Sequence, residues 1–155
     1  MIAIHKPTID DYDAVRALVA QVHALHHAAR SDVYAADAHF LPEHYAALLS
    51  DANAFPIAAY NGDKLVGFAS AFMKPANPNP AMLPHRIAYI DDICVHSGCR
   101  GMGIGTLLYN ETVRLAKERG ADTLMLTVWA FNENALRFYK HLGMTERNIN
   151  MEMKL

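Results

Sequence analysis

The stretch Val95-His96-Ser97-Gly98-Cys99-Arg100-Gly101-Met102-Gly103-Ile104-Gly105-Thr106 decides how the rest of the chain is read. Upstream of it, Ile87 to Val95 is an apolar, β-leaning run. Downstream, Ile104, Leu107, Leu108 and Leu115 recur at helical spacing and are read as the inward face of a helix over Gly103–Arg119, closed by Gly120. The glycines therefore stand where a strand gives way to a helix. Glycine lets the backbone come close to a ligand, and the free N–H groups of a helix start attract phosphate. A plain turn does not need three alternating glycines, which weaken a helix start.

Two familiar anion-binding patterns fail on named residues. A P-loop read from Gly98 and Gly103 requires lysine next, and Ile104 stands there. A dinucleotide fingerprint begun at Gly101 and Gly103 requires glycine at position 106, which is Thr106, and its acidic partner Asp122 starts a strand rather than ending one.

What remains, Arg100-x-x-Gly103-x-Gly105, resembles the acetyl-CoA pyrophosphate loop of the GNAT superfamily of N-acetyltransferases. Ile90-Asp91-Asp92-Ile93-Cys94-Val95 looks like that family's central strand. Trp129-Ala130-Phe131-Asn132-Glu133-Asn134-Ala135-Leu136-Arg137-Phe138-Tyr139 is similar to its second signature, in which Asn is followed seven residues later by Tyr. The resemblance is specific from about Ile87 to Met144. It implies that main-chain groups of Ile93, Cys94 and Val95 hold the pantetheine arm and acetyl carbonyl at a bulge-splayed strand end. It implies that Gly101, Met102, Gly103, Ile104, Gly105 and Thr106 cradle the pyrophosphate, that Arg100 adds charge there, and that Asn132 bonds the pantetheine amides. Tyr139 matches the tyrosine near the coenzyme sulfur, where its hydroxyl would protonate or hydrogen-bond the leaving thiolate. A tyrosine packed in the core with Ala135 and Leu142 is the competing reading.

Attack requires a neutral amine, so the acceptor must lose a proton. Members that acetylate ribosomal-protein N-termini carry glutamate five residues before the signature Asn, and this chain has Thr127. The nearest carboxylates are Asp91 and Asp92. Adjacent strand residues point to opposite faces, so one of them is expected to reach the acetyl group. Asp91 matches the family position of a base, acting directly or through water, with Tyr89 on its face as a substrate contact. Asp92 is expected to turn to a loop or the other face. In such a fold the first helices flank the acceptor, which brings in His26, Arg30 and Tyr34. His23, His26 and His27 lack an HExxH pattern, so no metal site is expected. Cys94 is read as packing and His96 as a turn residue.

Working outward, Met1–Lys6 reads as a strand stopped by Pro7. Thr8 caps a helix along which Val15, Leu18, Val19, Val22 and Leu25 recur. Ser31–Leu41 carries no period and is a loop or short helix, and Pro42–Ser50 is a helix. Phe55–Tyr60 and Lys64–Lys74 form a hairpin about Asn61-Gly62-Asp63. Pro75–Pro84, with four prolines, is a surface loop. Thr123–Trp129 is a strand, Asn132–His141 a helix, and Met144–Leu155 alternates as a closing strand with Ile149, Met151, Met153 and Leu155 on one face. The predicted fold is an α/β protein of order β α α β β β α β α β. Its mixed GNAT-like sheet is antiparallel early and locally parallel around the acetyl-CoA site. No repeat or linker divides residues 1–155, which read as one N-acetyltransferase domain.

Composition bounds the rest. The chain has 155 residues, 52% of them hydrophobic, and a formal net charge of −2. That is enough for a core of its own and too neutral for a general nucleic-acid binder. Cys94 and Cys99 write no disulfide framework. The start lacks the basic region and apolar run of a signal peptide, and no window reaches the ~18 apolar residues of a membrane span. A soluble cytoplasmic enzyme is expected, moving acetyl from acetyl-CoA to a primary amine of a small molecule in a ternary complex, without a metal. A homodimer through the terminal strand is also expected, since such strands often pair between subunits in the family. The rival readings are acetylation of a protein or peptide, and a non-catalytic acyl-CoA-binding regulator.

Overall fold

A computed structural model describes residues 1–37 and 40–155. The elements are β1 (Ile2–His5), α1 (Tyr12–Ala29), α2 (Pro42–Ser50), β2 (Ile57–Asn61), β3 (Lys64–Met73), β4 (Ile87–Val95), α3 (Ile104–Glu118), β5 (Thr123–Met125) and α4 (Glu133–His141). The strands form one sheet in chain order, antiparallel through β4, with β5 parallel to β4.

Local chemistry sets the ends of these elements. A short 3-10 turn, Ile9–Asp11, leads into α1, and the Asp11 carboxylate accepts from both the Thr8 N–H (2.7 Å) and the Thr8 hydroxyl (3.0 Å). Pro42 supplies the preset φ at the start of α2. The hairpin closes on Gly62 and Asp63, since Asn61 pairs with Lys64; Gly62 takes φ 59° at the first central position. The sequence signal was therefore Gly-Asp, flanked by Asn61, and fits a II′ turn.

Helices cover both faces. On the first, Val15 and Leu18 of α1 and Tyr45 of α2 pack on Ala58, Leu65, Phe68 and Cys94. On the second, Ile104 and Leu108 of α3 pack on Ile57, Ala59, Val66 and Ala69, and Tyr109 packs on Ala71, Ala88 and Ile90. Burying a side chain such as Phe68 or Leu108 contributes about 2 kcal/mol each. A bulge makes this distribution possible. Ala59 pairs with Gly67 but Tyr60 with Leu65, so Val66 is an extra residue. Leu65 and Phe68, three apart, thus both reach the α1 face.

Three expectations are corrected. The helical period was right, but Leu107 lies exposed, because the buried face of α3 runs Ile104, Leu108, Tyr109, Thr112, Ala116; Leu25 is exposed too, beyond Val15 and Leu18, the buried residues of α1. The strand expected over Thr123–Trp129 is paired only to Met125, where β4 and β5 part. Ser31–Tyr34 is a turn, the loop reading of that stretch; residues 38 and 39 of it lie outside the described residues. The closing strand is not formed: residues 144–155 pair with no strand, and Ile149, Met151, Met153 and Leu155 are exposed. Met144 packs on the α3-side core and Glu146 pairs with Lys140 (2.7 Å), while farther on Glu152 reaches Arg30 (2.7 Å) and Lys154 reaches Asp32 (3.5 Å) at the end of α1. The alternation of this stretch is real, but strand formation needs a partner edge that this chain does not place beside it.

Candidate active site

The glycines of the β4–α3 junction divide their work. Gly101 and Gly103 both sit at φ 77°, a left-handed conformation that other residues rarely adopt, and a Cβ on either would meet nothing within 4 Å. The space over them is open. Gly105 is different: its Cβ would lie 3.3 Å from Phe138 Cζ and 3.9 Å from Val95 Cγ2. The start of α3, the end of β4 and the middle of α4 therefore meet at Gly105. The first-turn N–H groups of α3 have no intrahelical acceptor and open toward the clear side of the loop. Among anions, an extended phosphate fits that combination of bare backbone and helix-dipole charge. Arg100 is exposed beside it, with Nε near the Val95 carbonyl (3.4 Å). His96 is a turn residue as expected; its Nδ1 accepts from the Gly98 N–H at 3.2 Å.

Asn132 ends the other approach. Its Oδ1 accepts from Ala135 N–H (3.1 Å), capping α4, so one of its polar groups is already spent on local structure. Its Nδ2 donors are not needed for that cap. Seven residues on, Tyr139 packs near Tyr109 (ring centroids 6.3 Å) on the α3 side of the sheet. Burial, and then Cys94, Asp92 and Tyr109, push its phenol well above the ordinary range, so it stays protonated. Beyond the end of β5 the sheet is open along β4, leaving a gap.

That gap begins at Tyr89. β4 pairs with β5 only at Ile87–Thr123, Ala88–Leu124 and Tyr89–Met125. Beyond this point the outer edge of β4 has no strand beside it among the described residues. On the inner edge Ser70 pairs with Asp92 but Ala71 pairs with Ile90, leaving Asp91 as an extra residue. This bulge overturns the expectation that Asp91 and Asp92 point to opposite faces. Counting by twos from Tyr89 brings Asp91, and counting back from Cys94 brings Asp92, to the α1 side. Asp92 is the more deeply placed: burial first, then the charge of Asp91, raise its carboxyl to about 6. Burial raises Asp91 as well, although its side chain is more exposed. Asp92 is thus the residue that sequence reasoning set aside. Its signal lay in strand pairing, which no local pattern carries.

The α1 side of the gap is aromatic. Tyr89 does not hang free for stacking; its hydroxyl donates to Thr127 Oγ1 at 2.7 Å, and Lys74 Nζ lies 5.1 Å from its ring centre. The Trp129 indole N–H donates to the Tyr34 hydroxyl (2.7 Å). His26 lies against Tyr34 (5.0 Å) and edge-on to Phe131 (5.9 Å), and Arg30 covers Trp129 at 5.1 Å. Burial, with the charge of His23, lowers the His26 pKa and favours a neutral ring. His23 Nε2 and His27 Nδ1 are each within hydrogen-bond distance of a main-chain carbonyl, at 2.6 and 2.7 Å. Trp129 and Phe131 were read only as part of a signature, and the structure adds them to the site. Cys94 is buried and packs, as expected.

No group of three or more metal-ligating side chains occurs among the described residues, and no described helix is long and apolar enough to cross a membrane. A cavity of about 410 Å³ on α1, lined by Tyr12, Arg16, Val19, His23 and Phe40, shares none of the groups at the gap. It offers no paired carboxylates and no bare helix start, so chemistry rather than size places the site.

The same region carries the likeness to known proteins. The model of the acetyltransferase (GNAT) family matches residues 19–144. An uncharacterised N-acetyltransferase of Methanocaldococcus jannaschii is 35% identical over 99 residues, 64% of this chain and 42% of that protein. The streptothricin acetyltransferase of Streptomyces lavendulae is 35% identical over 94 residues, 61% of this chain and 45% of that protein. The matches thus span less than half of either curated relative. A crystal structure of a mutant BH1408 protein from Bacillus halodurans superposes over 99% of both chains with a TM-score of 0.94 at 29% identity.

Proposed function

The chain belongs to the GNAT family of acetyltransferases, and on that premise we propose that it transfers acetyl from acetyl-CoA to the primary amine of a small molecule, by direct attack in a ternary complex. The observation that carries the proposal is the opening between β4 and β5. A bare helix start and Tyr139 lie to one side of it and the Asp91–Asp92 bulge to the other.

Acetyl-CoA supplies an activated thioester and a good leaving thiolate. The residues present fit it, since the space over Gly101 and Gly103 is clear and α3 opens its first N–H groups there. In this reading Gly101 to Thr106 bind the pyrophosphate with Arg100 beside them. Asn132 and the free edge at Ile93, Cys94 and Val95 hold the pantetheine arm and the carbonyl. Main-chain donors on that edge stabilise the oxyanion as it develops. The acceptor enters from the α1 side. Asp92, with Asp91 next to it, takes the proton that the nitrogen must shed, directly or through one water. Tyr139, protonated at neutral pH, donates to the departing sulfur.

A small acceptor is favoured over a protein N-terminus by Thr127, whose hydroxyl is engaged by Tyr89 and offers no base. The streptothricin acetyltransferase among the relatives, by its name, points the same way. Residues 1–155 act in this proposal as one catalytic domain in the reducing cytoplasm, where Cys94 and Cys99 stay free. The exposed apolar row from Ile149 to Leu155 pairs with a second copy.

The test is calorimetric titration with acetyl-CoA, then thiol release over an amine panel with wild type and Tyr139→Phe. Binding with amine-dependent release, slowed about a hundredfold by the Phe substitution, is the expected result. Binding without release on any amine would favour a non-catalytic acyl-CoA sensor. Absence of binding would overturn the assignment.

A further inference from the structure

The gap has two unlike walls, and from them we infer that its acceptor is a primary amine on a short arm from a flat, apolar or aromatic body that bears no carboxylate. This rests on the acetyl-transfer reading of the same site and adds what the acceptor must look like.

The first wall is the bulge of β4, with Asp91 and Asp92 turned to the α1 side. The second is built from Tyr34, Trp129 and Phe131, with His26 between them. Side-chain bonds bring Trp129 to the α1 side. Leu124 and Leu126 pack on the α3 side, whereas Thr127 is tied to Tyr89 and Trp129 to Tyr34, which follows α1. Tyr34, Trp129, Phe131 and His26 are all half-buried, leaving part of each ring open to a ligand.

Charge decides between amines that such walls might take. Arg30 binds Asp32 (2.9 Å) and Glu152 (2.7 Å), and Lys74 lies on the Tyr89 ring. An acceptor carboxylate held next to its own amine meets repulsion from Asp91 and Asp92 at the bulge. The ammonium finds Asp91 and Asp92. Aromatic rings reward a flat body by about fivefold in affinity per good ring contact beyond area burial. A thin polyamine offers no such surface.

Trp129 is the sole tryptophan of the chain, so its emission on excitation at long ultraviolet wavelength reports this wall without any need for turnover. The experiment titrates the full chain with phenethylamine, butylamine, spermidine and phenylalanine, and runs thiol release from acetyl-CoA on the same four. Phenethylamine is expected to change Trp129 emission saturably, with Kd about tenfold below the other three, and thiol release is expected to follow that order. Phe131→Leu, which keeps the reporter, is expected to weaken phenethylamine about fivefold or more and butylamine by less than about twofold. Equal or tighter binding of butylamine, spermidine or phenylalanine overturns the inference, as does a Phe131→Leu effect equal for all amines. Emission change with phenethylamine but no thiol release keeps the wall and discards acetyl transfer. Thiol release without aromatic preference does the reverse.

Discussion

The Tyr89 hydroxyl donates to Thr127 Oγ1 at 2.7 Å, and it does so just past Tyr89–Met125, the last pair that β4 and β5 share. This bond spans the two strands where they begin to part, and so sets where the opening starts. Tyr89→Phe removes the donor and leaves a partly exposed threonine to water. A loss of about 1 kcal/mol in urea unfolding is expected. A raised KM for the acceptor should accompany it, with acetyl-CoA affinity unchanged. Full retention of both would deny the bond any role in shaping the gap.

Asp92 makes a prediction with opposite signs for stability and activity. Its folded carboxyl titrates near 6, above the ordinary unfolded value, so the folded state holds this proton more tightly than the unfolded chain does. The contribution to stability is fully present below about pH 4 and is lost as pH rises through 6. Asp92→Asn should therefore leave stability near pH 4 little changed and raise it near pH 8 by up to about 3 kcal/mol. The same variant should lower kcat/KM by about 10² or more and abolish an acid limb near pH 6. Thermal melts at the two pH values, beside one pH–rate profile, decide it. A variant less stable at pH 8 would mean that the buried carboxylate is held by bonds it needs.

The junction glycines should separate on mutation. Gly103→Ala forces a side chain into φ 77° and is expected to lose about 1–2 kcal/mol of stability. Gly105→Ala meets no such backbone strain but presses on Phe138, which must move and carry α4 with it. Its signature is weakened acetyl-CoA binding with near-normal stability. Calorimetric titration and denaturant curves on the pair distinguish the two. Identical profiles would show that the glycines share one role.

The terminal row predicts an assembly. Replacing Ile149, Met151 and Met153 together by serine removes exposed apolar surface and touches no buried residue of the core. If a second copy covers this row, sedimentation will show the wild type as a dimer and the triple variant as a monomer. A wild type that sediments as a monomer across micromolar concentrations sinks the pairing.

Much of the site was legible because its signals are local. Gly101 and Gly103 are needed for their own φ, Asn132 for its own cap, and the interval from Asn132 to Tyr139 is a helical distance, so neighbouring residues carry the information. The resemblance put a bulge at the strand end from Ile93 to Val95, but its actual place at Asp91 was not legible. Nothing in Ile90-Asp91-Asp92-Ile93 marks an extra residue; it exists only because Ser70 and Ala71 of β3 pair as they do. The assignment of one face to each aspartate failed for that reason. Leu107 shows a related limit, since periodicity gives the angle between residues but not which side of a broad apolar arc meets the sheet. The tail shows another: alternation records a capacity to pair, and pairing depends on an edge elsewhere. Trp129 and Phe131 joined the site through the turn after α1, a contact across nearly a hundred residues of chain, |i−j| being 95 for Trp129 and Tyr34.

The bulge at Asp91 also constrains how this protein can change over time. Exchanging the side chain there leaves the alternation of Ile93, Cys94 and Val95 intact, so position 91 is open to substitution. Removing the residue is another matter. Ile90 and Asp92 would become neighbours opposite Ala71 and Ser70, and β4 would pair regularly with Ile90 still in the α3 core and Cys94 still in the α1 core. Descendants of this sequence can therefore shed the bulge without disturbing either core, and what they lose with it is the second carboxylate on the α1 side.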